Sequence, residues 1–194
     1  MIAFHGKSEV KDLYLKRVRE HRAADQIVQG YGYWGKSGGK LQGCAVGCTL
    51  HSSDHGAYET ELGIPEILAR LEDGIFENLP ADRAMSWPEE FLSAPQIGAD
   101  LSFVWPRFAV WMLVDPEWGV IKLAKSERSR VSIQRVADLY AKKVVGGEVT
   151  ERELSYASSA AYAAYAAMRH KIRVAQADKL LELMAAAPVM EYAG

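Results

Sequence analysis

Apolar residues at helical spacing are the feature that most restricts how this chain can fold. Between residues 100 and 115 they recur at intervals of three and four and also fill the opposite side, so this helix is predicted to be buried all round. Residues 64–79 carry a one-sided helical pattern. Helices are also predicted over 8–28 and 132–145, and a lone short strand over 119–123. The sequence therefore predicts an all-α, orthogonal multi-helix domain of about seven to nine helices.

The composition changes near residue 148. Small residues dominate the following stretch, and Thr150 with Glu153 three residues later forms the capping-box pattern of a helix start. We expect a core domain over 1–145 and a C-terminal Ala/Tyr-rich helical hairpin or arm over 148–194. Three tyrosines of the arm are predicted to contact a partner, namely Tyr156, Tyr162 and Tyr165.

The segment 43–59, GCAVGCTLHSSDHGAYE, holds both cysteines and two of the five histidines of the chain. Thiolate and imidazole are the ligands that zinc prefers. On a straight helix the outermost two of these four residues lie about 16 Å apart, too far for one ion, so a break around Ser52–Asp54 is needed. The predicted metal ligands are Cys44, Cys48, His51 and His55, with Asp54, Glu59 and Glu72 as helpers.

Two other interpretations of this segment stay open. Cysteine is among the most buried residue types, so both cysteines can simply pack in the core. A nucleophilic cysteine would need a lowered pKa and a nearby base. The spacing disfavours a disulfide, and two free thiols favour a reducing compartment. No cofactor is expected, zinc or another transition metal is the alternative, and whether the protein is an enzyme is left open.

Residues 30–42 are predicted to form a glycine-rich aromatic loop. From Gly30 to Ser37 they match the letters of a phosphate-binding loop, but a helix is predicted before them and a glycine pair follows, where that motif needs a strand and a helix. Stacking of nucleic-acid bases is a second interpretation, which the net charge of −2 disfavours. Anchoring to the core or to a partner subunit is the third, through Tyr31, Tyr33 and Trp34.

Charge is unevenly distributed along the chain. Residues 1–40 carry eight Lys or Arg and four Asp or Glu, a net +4, and the remainder carries 15 and 21, a net −6. Opposite charges on different segments suit self-association. No membrane-spanning apolar run and no signal peptide are recognised, so the cytoplasm is the expected location.

These patterns predict a helical protein–protein interaction or self-associating module, with a protein partner or a second copy as its ligand. The first alternative is a metal-binding protein or metalloenzyme that uses the cluster in 43–59. The second is a nucleotide or nucleic-acid site at residues 30–40.

The segment GCAVGCTLHSSDH, followed by YETELGIPEILARLED, resembles uncharacterised bacterial and phage-associated proteins that carry a similar motif. The similarity runs through most of the chain. No activity is attached to that group, so the resemblance implies no catalytic residue. It implies a prokaryotic or mobile-element setting.

Overall fold

The computed structural model describes residues 1–30, 34–150, 152, 153, 155 and 172–190. Within them the chain forms nine α-helices and one two-stranded sheet, so the predicted all-α fold class is confirmed. The helices are α1 (Ser8–Ala23), α2 (Ala45–Leu50), α3 (Ala57–Leu62), α4 (Glu66–Phe76), α5 (Ala81–Ala84), α6 (Trp87–Ser93), α7 (Val104–Val114), α8 (Glu127–Val144) and α9 (Arg173–Ala185). The strands are β1 (Trp34–Ser37) and β2 (Lys40–Gly43).

The chain divides into two compact units. Unit 1 comprises Met1–Ser102 and Met184–Gly194, and unit 2 comprises Phe103–Leu183. The predicted division into a core and a C-terminal arm stays a prediction, because most of the arm lies outside the described residues. Five of the predicted interaction residues lie outside them as well, namely Tyr31, Tyr33, Tyr156, Tyr162 and Tyr165.

The core of unit 1 forms where helices α1, α2, α4 and α6 pack against one another. All six residues of α2 are buried, and α4 buries its apolar face, as its sequence pattern predicts. Helix α1 is shorter than predicted and ends at Ala23, because the chain turns at Asp25 with a left-handed φ of 51°. The next residues pair with the end of β2 instead, where Val28 N donates to Gly43 O at 2.9 Å.

The glycine-rich segment forms a β-hairpin and not the predicted loop. Strands β1 and β2 are antiparallel, with Trp34 opposite Gly43 and Ser37 opposite Lys40. Two glycines at positions 38 and 39 form the turn, with φ values of 58° and 85°. Positive φ at both positions is typical of the type I′ turn in a two-residue hairpin, and glycine adopts it without strain. The lysine and serine of the phosphate-loop pattern therefore lie in a strand, so a phosphate-binding loop is not formed there.

Unit 2 is built around α7. Trp105, Phe108 and Met112 are buried on this helix, and Trp105 meets the ring of Tyr140 on α8 edge-on at 5.8 Å. Pro106 lies in the first turn of α7, where a proline is tolerated because no intrahelical N–H bond is lost. The predicted strand at 119–123 is wrong.

Residues Val120–Leu123 form a 3-10 helix instead of that strand. The hydrogen bond from Lys122 N to Gly119 O at 3.2 Å closes the turn of this helix within the segment, where a strand would bond to a neighbouring strand. Helix α8 begins five residues earlier than predicted, because the Ser126 hydroxyl caps it by accepting from Ser129 N at 3.2 Å.

The predicted capping box is confirmed. Thr150 N donates to Glu153 Oε2 at 2.9 Å, and Glu153 N donates to Thr150 Oγ1 at 3.2 Å. Among the helices that the structure describes, none combines the length and the apolar character that crossing a membrane requires.

Candidate functional site

Helix α2 positions both cysteines and His51. The Sγ of Cys44 caps its start by accepting from Gly47 N at 3.4 Å. The helix ends at Leu50, and His51 follows with a left-handed φ of 57°. A non-glycine residue adopts this backbone conformation at a cost of roughly 1 kcal/mol or more. The predicted break between α2 and α3 is thus present, and it directs His51 away from the buried cysteines.

The two cysteines lie in the core of unit 1 as free thiols. Cys44 is 2% exposed and Cys48 is 0% exposed. The thiol of Cys48 donates to Gly43 O at 3.4 Å, and burial raises its pKa to about 12. Burial, followed by the charge of the nearby Asp73 carboxylate, raises the pKa of Cys44 further. Both groups are therefore protonated at neutral pH, which favours core packing over a nucleophile or a thiolate ligand.

We expect both cysteines to be inert toward a thiol reagent such as 5,5′-dithiobis(2-nitrobenzoic acid) in the native protein. The reagent needs an accessible thiolate, and these thiols are buried with raised pKa values. Absorbance should show no thiol release in buffer and two equivalents after unfolding in guanidinium. Rapid native reaction of either cysteine would contradict this assignment.

His51 belongs to a cluster of three rings that the sequence did not predict, here called the ring cluster and formed by His21, Trp34 and His51. The Nε2 atoms of the two histidines lie 2.7 Å apart. The indole of Trp34 stacks on the His51 ring at 4.6 Å with an interplanar angle of 15°, and it lies 4.9 Å from the His21 ring. The last turn of α1, the first residue of β1 and the end of α2 thus meet at one point.

Neighbouring polar groups fix the protonation of this cluster. The Gln26 Oε1 atom is an acceptor, so the Nδ1 of His21 donates to it, and in the tautomer with its proton on Nδ1 the Nε2 of His21 is the acceptor. Arg17 donates to Thr49 O at 2.7 Å and lies close enough to act on His51. Burial, and then the Arg17 charge, lower the pKa of His51, so this imidazole is neutral at pH 7.

His55 and the acidic residues of α4 form a separate, more buried group. The Nε2 of His55 lies 3.3 Å from Asp73 Oδ2. Glu72 is fully buried, and its Oε2 accepts from the Tyr58 hydroxyl at 2.6 Å. Burial raises the pKa of Glu72 well above its ordinary value. Three carboxylate oxygens in or directly after α4 are buried without a hydrogen-bond partner, namely Glu72 Oε1, Asp73 Oδ1 and Glu77 Oε1.

The side chains of two predicted metal helpers, Asp54 and Glu59, accept hydrogen bonds from backbone N–H groups instead. The Oδ1 of Asp54 accepts from Gly56 N at 2.9 Å, and the Oε1 of Glu59 accepts from Glu66 N at 3.0 Å. Across the described ranges, no three His, Cys, Asp or Glu side chains are arranged to hold a metal ion. The structure therefore does not bring the four predicted ligands together, and metal binding by that set stays a prediction.

Sequence reasoning missed His21 and Gln26. His21 lies 30 residues before His51, and no helical or strand period relates positions that far apart. Trp34, the predicted interaction residue that lies within the described part of the chain, joins the ring cluster. Comparison with protein-family models, with curated proteins and with solved structures gives no match. The description of this candidate site is therefore based on the geometry of its residues.

Proposed function

We propose that this chain is a helical protein–protein interaction module that self-associates through a groove in unit 2. The observation that supports the proposal is the incomplete burial of α7. Its sequence is apolar except for one arginine, yet Val110, Trp111 and Val114 remain only half-buried in unit 2. Apolar surface that a domain does not bury in its own core is typical of an interaction site.

The groove has a volume of about 410 Å³. Its walls come from the half-buried side of α7, the last turn of α8 and the end of α9. Val145 at its rim is 82% exposed. The lining is apolar apart from two cationic side chains, and it comprises Arg107, Val110, Trp111, Ala141, Val144, Val145, Lys179 and Leu183. An aromatic side chain among aliphatic ones, with charge at the edge, is the usual composition of an interface centre.

A second copy of the chain is the partner that the charges favour. Residues 50–100 carry eleven Asp or Glu and two Lys or Arg, a net −9. The groove itself is bordered by Arg107 and Lys179. Glu72 is buried, but the exposed carboxylates of this segment on one copy and the cations at the groove of another attract each other and orient the encounter.

We expect Ala141→Lys to weaken self-association by about tenfold or more, since about 1.4 kcal/mol of lost binding energy corresponds to tenfold. Ala141 is exposed on α8, so the longer side chain fills the groove without removing any core contact. Sedimentation equilibrium over a wide concentration range measures the change in the dissociation constant.

Val131→Lys is the matched control. Val131 is 58% exposed on the same helix, lies outside the groove lining, and receives the same added charge. Its dissociation constant should equal that of the wild type. A monomer at every concentration would refute self-association, and equal weakening by both variants would refute the groove as its location.

The proposal includes a prokaryotic or mobile-element setting, which is supported by the resemblance alone. The alternative of a nucleotide site at residues 30–40 is less well supported, since Gly35, Lys36 and Ser37 lie in strand β1.

A further inference from the structure

The ring cluster presents two imidazole nitrogens to the same point. The Nε2 of His21 and the Nε2 of His51 face each other at 2.7 Å, with His51 exposed and His21 half-buried at the surface of unit 1. We propose that these two atoms chelate a divalent transition-metal ion. The site uses one of the four ligands predicted from the sequence and replaces the other three by a histidine on α1.

The spacing of the two nitrogens fits chelation. Imidazole binds such metals at about 2.0–2.1 Å, so two nitrogens on one ion lie about 2.9 Å apart at a 90° angle and about 3.3 Å apart at a tetrahedral angle. The pair in the metal-free protein is therefore only a few tenths of an ångström too close. Because the two nitrogens face each other along a hydrogen bond, each ring must also turn by about 35–45° for both lone pairs to point at one ion.

The rings are held in this orientation before any metal arrives. Gln26 accepts the Nδ1 proton of His21, which is the arrangement that orients histidine ligands and leaves Nε2 free to bind. The indole of Trp34 covers the His51 ring, and the left-handed backbone of His51 aims its side chain toward α1. Strained backbone of this kind is common at ligand sites.

Metal binding needs no net loss of a proton. In the metal-free pair His51 Nε2 donates to the lone pair of His21 Nε2. On coordination the His51 proton leaves Nε2 and one returns from solvent to its Nδ1, so both Nε2 lone pairs reach the ion. Water or an external ligand completes the coordination, since no third ligand of the His, Cys, Asp or Glu type converges here in the described part of the chain.

Imidazole pairs of this type suit Zn²⁺, Ni²⁺ and Cu²⁺. The thiols of Cys44 and Cys48 take no part, because both are buried in the core, where the Sγ of Cys44 accepts from Gly47 N and the thiol of Cys48 donates to Gly43 O. The guanidinium of Arg17 donates to Thr49 O, and its positive charge near His51 lowers the affinity for a cation.

The test is titration of untagged, chelator-treated full-length protein with Cu²⁺, followed by isothermal calorimetry and electron paramagnetic resonance. The wild type should bind one equivalent and show coupling to two imidazole nitrogens. His21→Gln and His51→Asn should each weaken binding by about tenfold or more, because each leaves a single imidazole. Asparagine tolerates the left-handed backbone at position 51, so the fold should be kept.

His5→Asn is the matched control, because His5 also has a left-handed φ, of 52°, and its Nε2 lies 3.1 Å from the carbonyl oxygen of Thr60. This variant should bind Cu²⁺ like the wild type. The electron paramagnetic resonance spectrum is recorded on the wild-type protein. The number of coordinating nitrogens is therefore measured even if His21→Gln or His51→Asn does not fold. A wild-type spectrum with one nitrogen or none, or equal affinity of the wild type, His21→Gln and His51→Asn, would overturn the proposal.

Discussion

Replacing Gly63 by alanine is expected to lower the free energy of unfolding by about 3 kcal/mol or more, the sum of a left-handed backbone penalty and the strain of overpacking. Gly63 ends α3 with a φ of 64°, and an added Cβ would lie 2.1 Å from the carbonyl oxygen of Ile2. That oxygen accepts from His5 N at 3.1 Å, and this turn holds Phe4 fully buried in the core. Thermal and guanidinium unfolding measure the loss.

Gly30→Ala is the control for this prediction. Gly30 also lies in unit 1 with a positive φ, of 77°, but an added Cβ there meets nothing within 4 Å. Gly30→Ala should therefore lower the free energy of unfolding only by the penalty for a left-handed backbone, which is about 1 kcal/mol. Equal losses in the two alanine variants would contradict the close approach of the N-terminal turn to Gly63.

Glu72→Gln is expected to stabilise the protein at neutral pH, and the gain should vanish in acid. Burial raises the folded-state pKa of Glu72 well above the ordinary value of 4.5, so the wild type loses about 1.4 kcal/mol of stability for each pH unit between these two pKa values. Glutamine removes this loss and still accepts from Tyr58. Urea unfolding of both proteins between pH 4 and pH 8 measures the difference.

The direction of this pH dependence follows from proton counting. Above pH 4.5 the unfolded Glu72 releases its proton while the folded one retains it, so raising the pH favours unfolding until the folded pKa is passed. Tyr58→Phe serves as the comparison variant. It removes the hydroxyl that donates to Glu72 and should destabilise the protein by about 1–3 kcal/mol. A stability gain in Glu72→Gln that is the same at every pH would refute the raised pKa.

The structural features that were predicted correctly are determined by residues that lie close together in the sequence. The apolar stripe of α4, the capping box of Thr150 and Glu153, and the break after α2 all arise within a few residues. Local chemistry decides such features, so they can be inferred before any tertiary contact is known. The early end of α1 at Ala23 was missed because the next residues pair with β2, a contact between distant segments.

The composition of the candidate site could not be predicted for the same reason. The sequence pattern placed Cys44, Cys48, His51 and His55 together because they share one helical face. A single left-handed residue at position 51 ends that helix, and the ring cluster then depends on where α1 and β1 bring His21 and Trp34. No residue pattern within segment 43–59 encodes those partners.

The central claim is that this segment keeps its thiols in the core and directs His51 to a pair with His21. Anomalous diffraction at the zinc edge, from crystals of the full chain grown with Zn²⁺, tests it most directly. We predict one peak at about 2.0–2.1 Å from both Nε2 atoms of the pair, and none at a sulfur. A peak bonded to the Sγ of Cys44 or Cys48 would contradict the claim.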